Sequence, residues 1–129
     1  MISALVVAHG LLGQALQDTL SGILGPLEGF QTISNEGLSA ADLEARVSEL
    51  LDEMGEDTFL FTDYFGGSCA SACLENARRR KNLPVVSGVN LPMLLYFLSH
   101  RKEMEARDLL KGLLNRGQNA IRELEPPSL

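Results

Sequence analysis

Residues 2–8, "ISALVVA", are small or apolar at every position and rich in β-branched side chains. A strand with one face in water alternates apolar and polar residues. An unbroken apolar run needs cover on both faces, which a parallel sheet packed between helices supplies. The rest of the chain fits that demand. "LLGQALQDTLSGIL" spaces Leu12, Leu16, Leu20, Ile23 and Leu24 as an amphipathic helix, ended by "GPLEG". "FQTIS" reads as a second strand. "SAADLEARVSELLDEMG" is a helix with Ser39 as N-cap, Asp42 three positions on, and Gly55 as its stop. Leu43, Val47, Leu50, Leu51 and Met54 form its apolar face. "TFLFTD" (58–63) is a third buried strand, and "YFGGS" a glycine-rich turn. "SCASACLENARRRK" is a third helix and "LPVVSGVN" holds a fourth strand. "LPMLLYFLSHR" begins a helix with Pro92 in its tolerated first turn. "EMEARDLLKGLLNRGQNAIREL" is mostly helical, with a break expected near Gly117, and "EPPSL" is a tail.

The order βαβαβαβα predicts one α/β domain over residues 1–129: a doubly wound, mostly parallel sheet with the flavodoxin-like strand order 2-1-3-4. A chain of 129 residues buries a real core without crosslinks. Its net charge of −6 is the wrong sign for a free-standing nucleic-acid binder. The basic run Arg78 to Lys81 reads as the solvated end of a helix, where positive charge complements the helix dipole, against a contact patch for an acidic partner. Cys69 and Cys73 are spaced C-x-x-x-C, one helical turn apart, which matches neither a redox pair nor a zinc knuckle. They read as small packing thiols, and no metal or cofactor is expected. "VNLPMLLYFL" is too short to span a bilayer and contains Pro92. Without a signal peptide or a disulfide framework, the expected compartment is the cytoplasm.

The chain has two histidines. His100 lies among charges in "SHRKEM" and reads as a solvated helix residue. His9 ends strand 1 and Asp63 ends strand 3. In the 2-1-3-4 order those strands are neighbours, and their carboxyl ends flank the topological switch point where open α/β sheets bind ligands. A carboxylate accepting from Nδ1–H fixes the imidazole tautomer and leaves the Nε2 lone pair as nucleophile. Gly66 and Gly67 allow close backbone approach. The amides of Gly67 and Ser68, at a helix N-terminus, make an anion site. A nucleophilic nitrogen, an orienting acid and a dianion cradle together equip a site for phosphoryl transfer onto histidine. A receiver domain would need acidic residues after strand 1, where "AHG" stands. A flavodoxin would need a hydroxyl-rich loop there, and "HGLLGQ" has none.

At these residues the sequence resembles the enzyme IIA component of the mannose-type branch of the phosphoenolpyruvate-dependent sugar phosphotransferase system. "VVAHG" (6–10), "TDYFGGS" (62–68) and "GVNLPMLL" (88–95) carry the resemblance, which covers essentially the whole chain. It implies a cytoplasmic homodimer in which the histidine phosphocarrier protein (HPr) donates a phosphoryl group to His9, and His9 passes it to a IIB component. Asp63 takes the orienting role and Ser68 supplies a hydroxyl near the phosphate. Through IIB the chain would associate with a membrane IIC/IID permease, without inserting in the membrane itself. The resemblance also implies an antiparallel fifth strand from the C-terminus, exchanged between subunits. Residues 118–124, "QNAIREL", are poorly patterned for a long helix, which leaves room for it. Two departures stand out: "GGS" continues with "CAS" rather than proline and a larger residue, and no linker to a IIB domain follows, so the expected partner is a separate chain or something other than a sugar permease. The same residues would serve a regulatory phosphohistidine module that reports the state of the system without moving sugar. A small-molecule-binding domain of this fold would leave His9 unmodified.

Overall fold

The computed structural model describes residues 1–81 and 83–128. The chain divides into two compact units, Met1–Val89 and Asn90–Leu129. The first contains β1 (Ser3–Ala8), α1 (Leu12–Leu24), β2 (Phe30–Ser34), α2 (Ala40–Met54), β3 (Thr58–Thr62), α3 (Ser68–Arg78) and β4 (Val85–Val86). All strand pairs are parallel, in the order β2-β1-β3-β4. This is the order expected from the alternation of strands and helices. Val7 pairs in register with Thr62 of β3 and with Ile33 of β2.

Every residue of β1 is buried, as its unbroken apolar sequence requires. Leu5 and Val7 join Leu60 in a core with Leu43, Val47, Leu50 and Leu51 of α2 and Cys69, Ala72 and Cys73 of α3. Each large aliphatic side chain there contributes about 1.5–3 kcal/mol. The small residues of α3 let α2 and α3 lie close together. On the opposite face Val6 sits under Gly13 of α1, where a Cβ would lie 3.6 Å from Val6 Cγ1 and 3.2 Å from Thr32 Cβ.

That contact corrects the expected face of α1. Leu20 is buried, but Leu12, Ile23 and Leu24 are exposed. The helix turns its Gly13–Leu20 stripe to the sheet, with Gly13 packed tightly over Thr32. The period was right and the phase was not. The expected entry and exit of α2 both hold. Ser39 Oγ accepts from the Asp42 N–H at 3.1 Å, and Gly55 follows the last turn with φ 95°. The basic run is tied to the protein's own carboxylates: Arg78 to Glu75, Arg79 to Glu44 and Arg80 to Asp52. This matches a helix end better than a free acidic-partner patch.

The second unit is a pair of helices, α4 (Leu91–His100) and α5 (Ala106–Asn119). Asn90 caps α4, its side chain accepting from the Met93 N–H at 3.0 Å. The expected break at Gly117 does not occur. Helix α5 runs through it, because Gly117 marks a close approach of the two helices. A Cβ there would lie 2.9 Å from Met93 Cε, and one at Gly112 would collide with Tyr96. Residues 121–128 have no regular structure, so within one chain the expected fifth strand is absent from the described residues. Among the described residues no helix is long and apolar enough to cross a membrane.

Candidate functional site

Four segments meet at the carboxyl ends of the strands in the first unit. β1 ends at Ala8, and His9 and Gly10 follow; Gly10 has φ 58°, a left-handed turn suited to glycine. Its N–H donates to Asn35 Oδ1, just past β2, at 3.2 Å. β3 ends at Thr62, and Asp63 follows. Beyond β4, the N–H groups of Gly88 and Val89 donate to the carbonyls of Asp63 and Thr62, both at 3.1 Å. Gly88 and Val89 thus pin the backbone that carries the acid.

The structure brings His9 and Asp63 together across 54 positions of sequence. Asp63 Oδ2 accepts from the His9 backbone N–H at 2.9 Å and from His9 Nδ1 at 2.7 Å. Asp63 Oδ1 accepts from the Tyr64 N–H at 3.0 Å and the Thr62 hydroxyl at 3.3 Å. Burial by itself would raise the Asp63 pKa. The hydrogen bonds from the His9 backbone, the His9 ring and the Tyr64 backbone outweigh it and hold the carboxyl below its ordinary value. Asp63 is therefore ionised at neutral pH and can only accept. The shared proton belongs on Nδ1, and in the neutral ring Nε2 keeps its lone pair. The His9 side chain is 34% exposed, against 11% for Asp63, so the acid is sheltered while the base is reachable.

The glycine turn stands against the imidazole. Gly66 and Gly67 have φ of 100° and 113°, and Gly67 precedes the first residue of α3, Ser68. A Cβ on Gly67 would lie 3.6 Å from His9 Cε1 and 2.9 Å from the Tyr64 hydroxyl. No side chain caps the N-terminus of α3, which leaves its first amides for an anion beside the ring. The Tyr64 ring lies tilted by 31° against the His9 ring, centroids 5.4 Å apart, and Phe65 is exposed.

Three neighbours escaped the sequence reading. Asn35 lies one residue past a strand end, so the same topological rule that marked His9 and Asp63 could have marked it. Tyr64 carried no signal beyond adjacency to Asp63. The spacing of Cys69 fits a packing thiol, and it is buried, but it also faces the site. Burial, then the charge of Asp63, pushes its thiol up to about 11. Burial, then Cys69 and Asp63, pushes Cys73 up to about 12. A concavity lined by Tyr96, Arg116, Arg122 and Leu124 belongs to the second unit, and no residue of the His9 site lines it.

Fold and site define a doubly wound α/β protein with a carboxylate-oriented histidine at the switch between its central strands. The family model "PTS system fructose IIA component" matches residues 3–114, and the chain belongs to that family of phosphotransferase-system IIA components. It is 27% identical over 126 residues to the fructose-specific EIIA component of Bacillus subtilis (strain 168), covering 94% of this chain and 85% of that protein. It is 27% identical over 114 residues to the sorbose-specific EIIA component of Klebsiella pneumoniae, covering 88% and 84%. The fold matches the crystal structure of an EIIA component from Streptococcus agalactiae with a TM-score of 0.87, at 24% identity over 95% of this chain and 97% of the other. It also matches a mannose/sorbose-specific IIA subunit from Enterococcus faecalis with a TM-score of 0.84, at 22% identity over 99% and 98%.

Proposed function

We propose that the chain is a phosphoryl carrier: His9 accepts a phosphoryl group from the phosphohistidine of HPr and passes it to a IIB component during sugar uptake. The observation that carries this reading is the 2.7 Å contact between His9 Nδ1 and Asp63 Oδ2. Nε2 attacks phosphorus as the donor's N–P bond breaks, and the donor imidazole leaves with that electron pair. Positive charge grows on the His9 ring, and the sheltered Asp63 carboxylate stabilises it through Nδ1–H without taking the proton. The phosphoryl oxygens would meet the Gly67 and Ser68 amides and the Ser68 hydroxyl, with Gly66 giving the backbone room to approach. Transfer to IIB is the same step run in reverse, with a histidine imidazole of IIB as acceptor. Family membership supports HPr and IIB as the partners.

Incubation with phosphoenolpyruvate, enzyme I and HPr should add one acid-labile phosphate, seen by intact-mass spectrometry. That phosphate should disappear when a IIB chain is added. His9→Ala should abolish the label. A wild-type chain that stays unlabelled, or a label that survives His9→Ala, contradicts the reading.

The same reading takes the working form to be a homodimer with the C-terminal segment exchanged. Its support is that Ile121 and Leu124 are each 83% exposed in the single chain, an apolar surface that a partner subunit would cover. Sedimentation should show a dimer at micromolar concentration that a chain lacking residues 118–129 fails to form. A monomeric full-length chain would refute the exchange.

A further inference from the structure

His9, Asp63 and Cys69 place an imidazole nitrogen, a carboxylate oxygen and a thiol sulfur all within 4.8 Å of one another. We propose that these three side chains form a binding site for a soft divalent cation of the zinc class, and that occupying it switches His9 off as a phosphoryl acceptor. The donor set points to that class. Nitrogen, oxygen and sulfur together suit zinc, whereas magnesium and calcium take oxygen alone.

The geometry needs a small adjustment. Bond lengths typical of zinc in a tetrahedron put nitrogen and oxygen about 3.4 Å apart and sulfur and nitrogen about 3.6 Å apart. The Nδ1–Oδ2 pair, now at 2.7 Å, opens by about 0.7 Å, and the sulfur, within 4.8 Å of both, closes in by at most about 1.2 Å. Asp63 is already held from behind by the Tyr64 N–H and the Thr62 hydroxyl, the outer support that orients a metal-binding carboxylate. Three protein ligands leave a fourth position, and the partly exposed His9 ring leaves solvent a way to fill it.

The consequence follows from proton bookkeeping. A cation on Nδ1 takes the lone pair that bonded the Nδ1 proton. A neutral imidazole bound this way carries its proton on Nε2. The nitrogen that attacks phosphorus then has no lone pair to offer. The Nδ1 proton is in effect moved to Nε2 through solvent, and the Cys69 thiol proton is released to the buffer, one net proton per cation bound. The binding half of this inference stands on the cluster alone; the switching half rests on the phosphoryl-carrier reading above.

Cobalt(II) is the probe, because thiolate ligation gives it a charge-transfer band that carboxylate or imidazole ligation does not. The full chain should bind one equivalent with that band. Cys69→Ser and Cys69→Ala should each lose the band and bind at least about tenfold more weakly, the scale of loss seen even for supporting residues. Cys73→Ser, one turn along α3, should keep it. Zinc should displace the cobalt and slow labelling of the wild-type chain, each chain being compared with its own zinc-free rate, but not labelling of Cys69→Ser. A missing band, a band that survives both Cys69 variants, or zinc that slows both chains equally overturns the proposal. A zinc-free wild-type chain that never labels would instead sink the carrier reading and leave the cobalt result to decide the site.

Discussion

The regions around His9 and His100 contain the same three groups: an imidazole, a carboxylate and a tyrosine ring. Around His100 they come from one local stretch. Tyr96 lies one turn earlier with its ring 4.4 Å from the imidazole, and Glu103 lies three residues later at 3.7 Å with its side chain 70% exposed. Around His9 the acid comes from another strand, 54 positions away. It sits at 2.7 Å, is mostly buried, and grips both the ring and the backbone of His9. Helix spacing brings Tyr96 to His100, and the turn that follows α4 brings Glu103 back to it, so the His100 group needs no function to explain it. The His9 group exists only because a parallel sheet sets the ends of β1 and β3 side by side.

Replacing Asp63 should separate the two regions most. Asp63→Asn removes the charge that supports the imidazolium, and its amide cannot accept at both oxygens as the carboxylate does, so an NH2 turned toward His9 no longer fixes the tautomer. Loss of such an acid costs a serine protease about 10⁴-fold. Transfer between histidines is less demanding, and we expect it to slow by roughly 10- to 1000-fold, about 1.4–4 kcal/mol of barrier. Quench-flow rates within twofold of wild type would show that the carboxylate does not orient His9.

The same contact predicts a pH effect on stability. The folded-state pKa of Asp63 lies below its ordinary 3.8. A depressed acid stabilises the fold fully above that ordinary value, and the gain is lost as pH falls through the folded value. Denaturant titrations of wild type and Asp63→Asn should therefore diverge at neutral pH and converge in acid. Parallel curves over that range would remove the linkage. The smallest effect belongs to the other histidine. Glu103→Gln should change stability by no more than about 0.5 kcal/mol, since the pair is exposed and long, and His100→Ala should label like wild type. A larger loss of either stability or labelling would erase the contrast between the regions.

The sequence revealed what depends on pattern and topology. The unbroken run of β1 announced a sheet covered on both sides. The alternation of elements fixed the strand order, and the order placed His9 beside Asp63. It revealed less of what depends on fit. The apolar stripe of α1 gave the period of the helix but not its phase, because Gly13, buried against the sheet, has no apolar side chain to mark that face. Gly117 has the propensity of a helix break, yet α4 packs against it, with Met93 and Asn90 atoms 2.9–3.3 Å from where a Cβ would lie. Tyr64 and Cys69 were invisible as site residues, since nothing in their spacing says that a turn folds them against an imidazole. The "GVN" stretch marked the family before its task was evident. Its backbone holds the peptide that carries Asp63.

The central claim is that Asp63 holds Nδ1 and so leaves Nε2 to carry phosphate. Phosphorus and nitrogen NMR of the chain, labelled through phosphoenolpyruvate, enzyme I and HPr, reads the bonded nitrogen directly. A single phosphate coupled to Nε2 of His9 is the predicted result. A phosphate on Nδ1 of His9, or on either nitrogen of His100, would contradict the account.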